Sequence, residues 1–423
     1  MSIFQMNVCV INKFLNNFKE PNSFKQFAGL CAFIYGMLAD YKRLNLSSLC
    51  KNLPVSHQKL QYFFSDAKWN YEDLNNLRIN TLKKAKTTGF CKYGILAIDD
   101  TGSVKPYAKK TEGVSFQYCP SIKHEAYCNV AVGSCFVYGT KHIPLNLKFY
   151  RPLAEIIASR DNPEDFRSKL DNAKELIDDA IAKNIPFSYV VVDSWYPSSD
   201  LIEFITEKKR KFIAEIKSDR NLLFRHPVTK KQVWVKSDEL VRLIKKHLWH
   251  KARIAHYRDA QLPVYGFESR VKDCRIALKA FVVFGSWSDE DGKGIHILIT
   301  NDLGMSYKKV VGLYMQRWGI EQTFRELKDT FYFDHYQVRH KEEIMRYWML
   351  CILAWSLVYW IKQNACLLKI LSDNLTSLNE YKQALFKLTL FSSYVYLAKN
   401  GSVYNDCFSS IKSKRFRQHC LFH

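Results

Sequence analysis

The sequence has 423 residues, 47% of them hydrophobic, so it can bury substantial cores, and this composition argues against wholesale disorder. Its formal net charge of +22 is spread along the chain, which favours a polyanionic partner, most commonly nucleic acid, over a basic protein without a special partner. The twelve cysteines include no C-x-x-C pair, which indicates buried, reduced thiols and not a zinc site or a disulfide scaffold.

Residues 1–88 are predicted to form a helical N-terminal domain, because apolar residues in "FKQFAGLCAFIYGMLADY" recur at helical spacing. A small basic helical domain is a candidate for DNA binding, although a packing or dimerisation role would explain it equally well. No basic segment precedes an apolar core at the beginning of the sequence, so we expect no signal peptide.

From residue 94 onward, the pattern changes to short buried strands separated by helices. "GILAID" predicts a strand that ends at Asp99 before a turn at "DTG", and "EAYCNVAVGSCFVYGTKHIPLNLKFYRP" predicts a hairpin around Gly139. "PFSYVVVD" predicts a strand that ends at Asp193, and "KFIAEIK" predicts another. Strands alternating with helices in this way predict a mixed α/β sheet flanked by helices.

Residues 219–292 lose this alternation and are predicted to form a β-rich insertion, after which "GIHILITND" returns to a strand. The apolar run from Tyr347 to Ile361 is shorter than the ~20 residues that span a bilayer, so we expect a buried core helix, no membrane contact and a cytoplasmic protein. The predicted domains are 1–88 (helical), 89–218 (first part of the core), 219–292 (insertion), 293–365 (second part of the core) and 366–423 (helical region and basic tail).

One stretch, "YMQRWGIEQTFRELK", combines strong helix formers with an ordered polar row. At about 100° per residue, its polar side chains at offsets of zero, three, seven and fourteen fall on one narrow stripe of a single helix. These side chains are Tyr314, Arg317, Glu321 and Lys328. The neighbouring apolar stripe, which we expect to be buried, consists of Ile320, Phe324, Leu327 and Phe331.

Three carboxylates are candidates for one site. Asp99 and Asp193 each end a buried strand, at the end of the sheet where ligands usually bind, and Glu321 lies on the polar stripe. Converging carboxylates need a cation, and hard divalent ions such as Mg²⁺ prefer oxygen ligands. The alternatives are that the aspartates are turn or cap residues and that Glu321 only pairs with Arg317 or Arg325.

These residues resemble a known family. The polar row reproduces the Y-x2-R-x3-E-x6-K signature of DDE transposases of the bacterial insertion-sequence-four superfamily. "LAIDDTGSVK" and "YVVVDSWY" resemble the strands that carry the first and second aspartates of that family, and "EGVSFQYCPSIKHEAYCNVAV" resembles the G-V-x-x-Q-Y stretch of one branch. The resemblance covers roughly residues 90–340, and the N-terminal segment matches only loosely.

The resemblance implies an RNase H-like catalytic core with a β-rich insertion, and cut-and-paste transposition of an insertion sequence. It implies that Asp99, Asp193 and Glu321 hold two Mg²⁺ or Mn²⁺ ions, with Asp100 as the alternative to Asp99, because Thr101 completes the family's D-x-[T/S] pattern from Asp99. The implied partners are double-stranded DNA, at terminal inverted repeats and at the target, and a second copy of the chain in a homodimer.

The implied DNA-binding residues surround these acids. Tyr314, Arg317 and Lys328 would contact phosphate, and an aromatic of the insertion would hold a flipped base. The other expected DNA contacts are Trp318, Arg325, Lys105, Lys109, Lys110 and Trp287. Two alternatives stay open: an RNase H-fold nuclease without strand transfer, and a non-catalytic DNA-binding protein derived from a transposase.

Overall fold

The computed structural model describes residues 11–20, 24–39, 46–47, 50, 55–108, 110–217, 219–285, 294–364 and 375–387. The helices with bounds inside these ranges are α1 (Phe24–Ala39), α2 (His57–Ser65), α3 (Tyr71–Lys84), α4 (Leu153–Ala158), α5 (Lys169–Ala182), α6 (Ser199–Glu207), α7 (Ser237–Leu243), α8 (Tyr307–Met315), α9 (Trp318–Phe331) and α10 (Lys341–Gln363). The strands are β1 (Gly94–Val104), β2 (Ser115–Cys119), β3 (His124–Tyr138), β4 (Lys141–Tyr150), β5 (Phe187–Val192), β6 (Lys211–Glu215), β7 (Asn221–Arg225), β8 (Gln232–Lys236), β9 (Arg253–Tyr257), β10 (Ala260–Ser269), β11 (Leu278–Phe284) and β12 (Ile295–Thr300).

The chain divides into two compact units, one of residues 1–87, 329–337 and 346–423, and one of residues 88–328 and 338–345. In the first unit, the rings of Phe33, Phe64 and Tyr347 pack with centroids 5.3–6.2 Å apart. The buried Arg78 donates hydrogen bonds to Asn75 and Ser356 there, and these bonds offset the cost of burying its charge. The predicted domain boundaries and the helical N-terminal domain stay predictions.

Helix α10 contains the apolar run that the sequence assigns to the core. Among the described residues it is the one helix long and apolar enough to cross a membrane, and its apolar stretch is fully buried within the protein. Burial on all sides explains why this helix is hydrophobic all round. The prediction of a buried helix is confirmed, and the described part of the chain gives no clear membrane signal.

The second unit contains a ten-stranded sheet. Its order is β2-β3-β1-β5-β6-β12-β11-β10-β9, and β4 also pairs with β3. Strands β1, β5 and β6 run parallel, so their carboxyl ends meet at one edge, whereas the other pairs in the sheet are antiparallel. The mixed sheet flanked by helices is confirmed, and it is consistent with the RNase H-like fold that the resemblance implies.

The segment predicted as a β-rich insertion contributes to two sheets. Strands β7 and β8 form a separate two-stranded sheet, while β9, β10 and β11 continue the large sheet beyond β12. The hydrogen-bonded ladder therefore runs without interruption from β1 to β9.

Two local expectations were wrong. Strand β1 does not end at Asp99 but continues to Val104, because β3 pairs with it from Ile95 onward and holds the "DTG" residues in the ladder. The polar row does not lie on one helix either. Gln316 and Arg317 form a break between α8 and α9, where the amide of Arg317 donates to Tyr314 O and the amide of Ile320 to Arg317 O, both i→i−3 bonds.

The four members of the predicted apolar stripe of α9 are all buried, and Phe324 among them packs against the sheet at Gly133. Two glycines permit the close approach. A Cβ atom on Gly133 of β3 would lie 2.8 Å from the Phe324 ring, and one on Gly319 of α9 would lie 2.7 Å from Val137 of β3. Because Gly133 pairs with Asp99, this contact sets α9 directly over the first acid.

The close approach predicts opposite effects for two helical glycines. Gly312→Ala, in α8, meets nothing within 4 Å and should stabilise the protein by roughly 0.5–1 kcal/mol through helix propensity. Gly319→Ala should instead lower the free energy of unfolding by about 1–3 kcal/mol, because Val137 is buried and cannot move aside. Chemical denaturation measures both, and equal gains would contradict the close packing of α9.

Candidate active site

Three acids lie at the edge where the parallel strands end. Asp99 lies in β1, Asp193 directly follows β5, and Glu215 is the last residue of β6. The Asp193 carboxylate accepts a hydrogen bond of 3.0 Å from the amide of Trp195. Because carboxyl ends of adjacent parallel strands lie side by side, three consecutive strands present acids to one region.

Arg317, in the break between α8 and α9, joins the first and last predicted acids. Its Nη1 donates to Asp99 Oδ2 at 2.9 Å, and its Nη2 lies 2.7 Å from Glu321 Oε1. One guanidinium therefore binds a carboxylate of the sheet and a carboxylate of α9 at once. The planar fork of arginine suits this double contact, which the point charge of lysine could not reproduce.

The electrostatics around Asp99 are unfavourable to its charged form. Burial raises the pKa of Asp99 to about 8, with Asp193, Asp100 and Glu321 adding to the rise and Arg317 opposing it. Burial also raises the pKa of Asp193, again against the opposing effect of Arg317. A single arginine thus only partly compensates the gathered negative charge.

Arg317 itself stays cationic. Burial alone would lower its pKa, but Tyr314, Asp99 and Glu321 together raise the pKa of Arg317 above its usual range. Its Nε is buried and has no hydrogen-bond partner among the described residues. The guanidinium therefore keeps one N–H donor, at Nε, that no group in the described ranges accepts.

Tyr314 lies at the end of α8 and points to a different acid. Its hydroxyl donates to Glu215 Oε2 at 2.7 Å, and His296 Nδ1 lies 2.7 Å from Glu215 Oε1. Burial tends to raise the pKa of Glu215, but the hydrogen bonds from His296 and Tyr314 outweigh it and lower that pKa. Glu215 was not among the predicted site residues, because it lies two residues before the end of the predicted strand "KFIAEIK" and belongs to no motif.

Asp100 faces the other side of the sheet from Asp99. Its Oδ2 accepts a hydrogen bond from Lys169 of α5, whose ammonium also lies 5.4 Å from the centroid of the Trp195 ring. Asp100 is therefore already paired, which supports Asp99 as the acid that acts with Arg317. Tyr196 is buried nearby, and its hydroxyl has no partner within the described ranges.

Lys328 lies near the end of α9, two turns beyond Glu321. Its ammonium donates to the Gly102 carbonyl at 2.6 Å and to Ser121 Oγ. Of the other expected DNA contacts, Trp318, Arg325 and Lys110 are exposed and Lys105 is partly buried, whereas Lys109 and Trp287 lie outside the described residues. The structure therefore brings together Asp99, Arg317 and Glu321, and pairs the Lys328 ammonium with Gly102 and Ser121 instead of with an acid.

The oxygen donors of Asp99, Asp193 and Glu321 fit a hard divalent cation in their chemistry. In the described part of the chain, however, no group of three or more histidine, cysteine or acidic side chains is close enough to hold a metal ion. The reason is visible in the geometry, because Arg317 occupies the space between Asp99 and Glu321. A cation shared by the acids requires this guanidinium to move.

Comparison with known families decides the identity of the chain. Residues 14–237, more than half of the sequence, match the family model described as DDE superfamily endonuclease. The chain belongs to the DDE superfamily of endonucleases. Residues 167–357 also match the model described as transposase DDE domain. Membership makes this protein a transposase-type nuclease that binds DNA and catalyses phosphoryl transfer.

Comparison with individual proteins adds little to this DDE endonuclease. No curated protein matches the chain. Among solved structures, the NurA nuclease from Sulfolobus solfataricus matches at 11% identity and a TM-score of 0.26, over 59% of this chain and 82% of its own. A similarity this distant carries no argument about the site.

The raised pKa of Asp99 predicts a pH-dependent effect of removing its charge. The pKa of an aspartate in the unfolded chain is about 3.9, and the pKa of folded Asp99 is about 8. Between these two pH values the unfolded chain releases a proton that folded Asp99 retains, so the wild type loses stability as pH rises. In metal-free buffer, Asp99→Asn should therefore become increasingly stabilising between pH 5 and pH 8, by on the order of a few kcal/mol. Urea denaturation across this range measures it, and a pH-independent difference would contradict the assignment.

Proposed function

We propose that this DDE endonuclease is a transposase of the insertion-sequence-four type, which carries out cut-and-paste transposition on an RNase H-like core. The observation that carries the proposal is the contact of one guanidinium with Asp99 and Glu321, beside the strand end that bears Asp193. An arginine that only stabilised α9 would need neither a buried position nor a partner in the sheet.

Asp99, Asp193 and Glu321 would hold Mg²⁺ or Mn²⁺, as two ions. Such ions supply activation of the attacking oxygen and stabilisation of the leaving oxygen in phosphoryl transfer. Arg317 would release its two carboxylates and bind the scissile phosphate, a ligand with the same fork-matching oxygens. The Tyr314 ring lies 5.8 Å from the Arg317 guanidinium, and its hydroxyl is held by Glu215. Tyr314 would therefore stay in place while the Arg317 side chain moves from the carboxylates to the phosphate.

Duplex DNA would bind over a basic segment of the insertion, residues 220–258. This segment has eleven Lys and Arg residues against two acids, a net +9 of the +22 of the whole chain. Exposed cations without neighbouring acids attract phosphates and release their counterions. Its basic residues are Arg220, Arg225, Lys230, Lys231, Lys236, Arg242, Lys245, Lys246, Lys251, Arg253 and Arg258.

Two copies of the chain would pair the terminal inverted repeats of the element and join them to target DNA in the cytoplasm, at the nucleoid. Lys328 would contribute to phosphate binding after leaving Gly102 and Ser121, and Trp318 and Arg325 would extend that contact along α9.

The acids should each be required for both chemical steps. Asp99→Ala, Asp193→Ala and Glu321→Ala should lower end cleavage and strand transfer by roughly a hundredfold or more while leaving DNA binding intact. Labelled element ends with Mg²⁺ or Mn²⁺ measure both steps on a gel. Asp100→Asn, which changes the acid paired with Lys169, is the matched control and should keep most of the activity.

The outcomes separate the alternatives. Cleavage without strand transfer in the wild type would indicate a nuclease, and DNA binding without either step would indicate a non-catalytic binding protein. Full cleavage by Glu321→Ala would contradict the assignment of this acid.

The basic segment predicts a defined salt dependence. Changing the exposed Arg242, Lys246 and Lys251 to Ala should reduce the slope of log Kd against log salt by about 2.7 for duplex DNA, because three phosphate contacts are lost. The charge-preserving set Arg242→Lys, Lys246→Arg and Lys251→Arg should keep the wild-type slope. Fluorescence anisotropy between 50 and 200 mM salt measures both, and an unchanged slope would show that DNA binds elsewhere.

A further inference from the structure

The hairpin formed by β2 and β3 presents an aromatic surface to solvent. Phe116, Tyr118 and Tyr127 are 60%, 53% and 54% exposed, and the Phe116 and Tyr127 rings meet edge to face with centroids 5.4 Å apart. Three half-exposed aromatics side by side on one hairpin contribute little to a core. Exposed rings on an edge strand also invite aggregation unless a ligand covers them.

The strand register places these rings on the same face as the acids. Phe116 pairs with Tyr127, and Tyr118 lies two residues further along β2, so all three project to one side. Tyr127 is six residues from Gly133 along β3, an even number, so its side chain lies on the face where Phe324 of α9 packs at Gly133. Asp99 pairs with Gly133 and binds Arg317 on that face.

The surroundings of the rings carry two exposed lysines and one exposed acid, Glu125, which pairs with Tyr118 in the register, and they are connected to α9. The exposed Lys123 lies in the hairpin turn and the exposed Lys110 precedes β2, while the amide of Lys105 donates to the Tyr127 carbonyl at 2.7 Å. Ser121, also in the turn, accepts a hydrogen bond from Lys328 of α9. Lys328 is seven residues, or about 10 Å of helix, beyond Glu321.

Aromatic rings beside cations are the features that bind unpaired nucleic acid. Every base has a π-face, so stacking holds single strands without a sequence requirement, and cations hold the backbone between the bases. Exposed aromatics on neighbouring strands of a sheet stack bases in RNA-binding modules of unrelated origin. Duplex DNA cannot use such a surface, because its bases are already stacked on one another.

We propose that Phe116, Tyr118 and Tyr127 form a stacking platform for unpaired DNA bases on the catalytic face. The proposal rests on the proposed function, because the ligand is the DNA that the acids would cut. It adds that this DNA is unpaired where it contacts the hairpin. Strand separation beside the scissile phosphate exposes bases, and the hairpin, tied to α9 through Lys328, holds them away from the reacting strand.

The test uses the full chain in EDTA, so that no cleavage occurs, with two labelled probes: a twelve-nucleotide oligo-dT and a twelve-base-pair duplex. The double variant Phe116→Leu/Tyr127→Leu keeps apolar side chains in the hairpin but removes both rings. Its Kd for oligo-dT should rise by roughly tenfold or more, while its Kd for the duplex changes by less than twofold. Tyr138→Leu, an exposed tyrosine at the other end of β3, is the matched control and should leave both affinities unchanged.

Three results would overturn the platform. Equal weakening of both probes would indicate a general contact with DNA, and unchanged binding of oligo-dT would remove the rings from the site. Unchanged binding together with a shift from dimer to monomer in sedimentation would assign the surface to contact between copies. Melting curves of the variants identify any loss of fold, and in that event Tyr118→Leu, which leaves the Phe116–Tyr127 ring pair in place, should weaken oligo-dT alone.

The outcome for the wild type separates the two proposals. If the wild type binds duplex DNA in EDTA and cuts it when Mg²⁺ is added, but has no affinity for oligo-dT, the platform fails and the proposed function stands. If the wild type binds neither probe, the proposed function fails, and the platform fails with it.

Discussion

The site depends on one positive charge among several negative ones. Arg317 contacts Asp99 and Glu321 directly, and its charge also opposes the raised pKa of Asp193. Without it, no cation would lie between Asp99 and Glu321, and the pKa of the buried Asp99 would rise further. Other features of the site, such as the glycines beneath α9 and the break before it, allow this one side chain to reach its partners.

The break between α8 and α9 separates two tasks that a continuous helix would combine. Tyr314, near the end of α8, donates to Glu215, whereas Arg317, in the break, contacts Asp99 of the sheet and Glu321 in the first turn of α9. Glu215 and Asp99 lie in different strands. The i→i−3 hydrogen bonds around Gln316 and Arg317 change the direction of the chain, so that Tyr314 reaches the first acid and Arg317 the second. Helical periodicity in the sequence indicates that these residues lie near one another, but it does not indicate the break between the two helices.

Much of the fold could be predicted because burial leaves a strong pattern. Runs such as Ile95–Ile98 and Val190–Val192 have no polar member, which fixes them as central strands, and the apolar stripe of α9 is buried as its spacing indicates. The continuation of β1 past Asp99 could not be predicted, because the polar residues there are held by pairing with β3, a partner distant in sequence. Glu215 could not be singled out, because the apolar pattern continues past it to Ile216 and no motif includes it. The pairing of Asp100 with Lys169 depends on which face each side chain takes, which the sequence leaves open.

The uninterrupted ladder from β6 to β9 has a geometric consequence. Between Glu215 at the end of β6 and β9, whose Arg253 belongs to the basic segment, lie β12, β11 and β10, so four hydrogen-bonded spacings separate them. At about 4.8 Å per spacing, this is about 19 Å, the rise of between five and six base pairs of DNA. A sheet cannot stretch across its hydrogen bonds without breaking them. Under the proposed function, the number of strands between Glu215 and β9 would therefore set the length of duplex between the DNA contact of the insertion and the cleavage site.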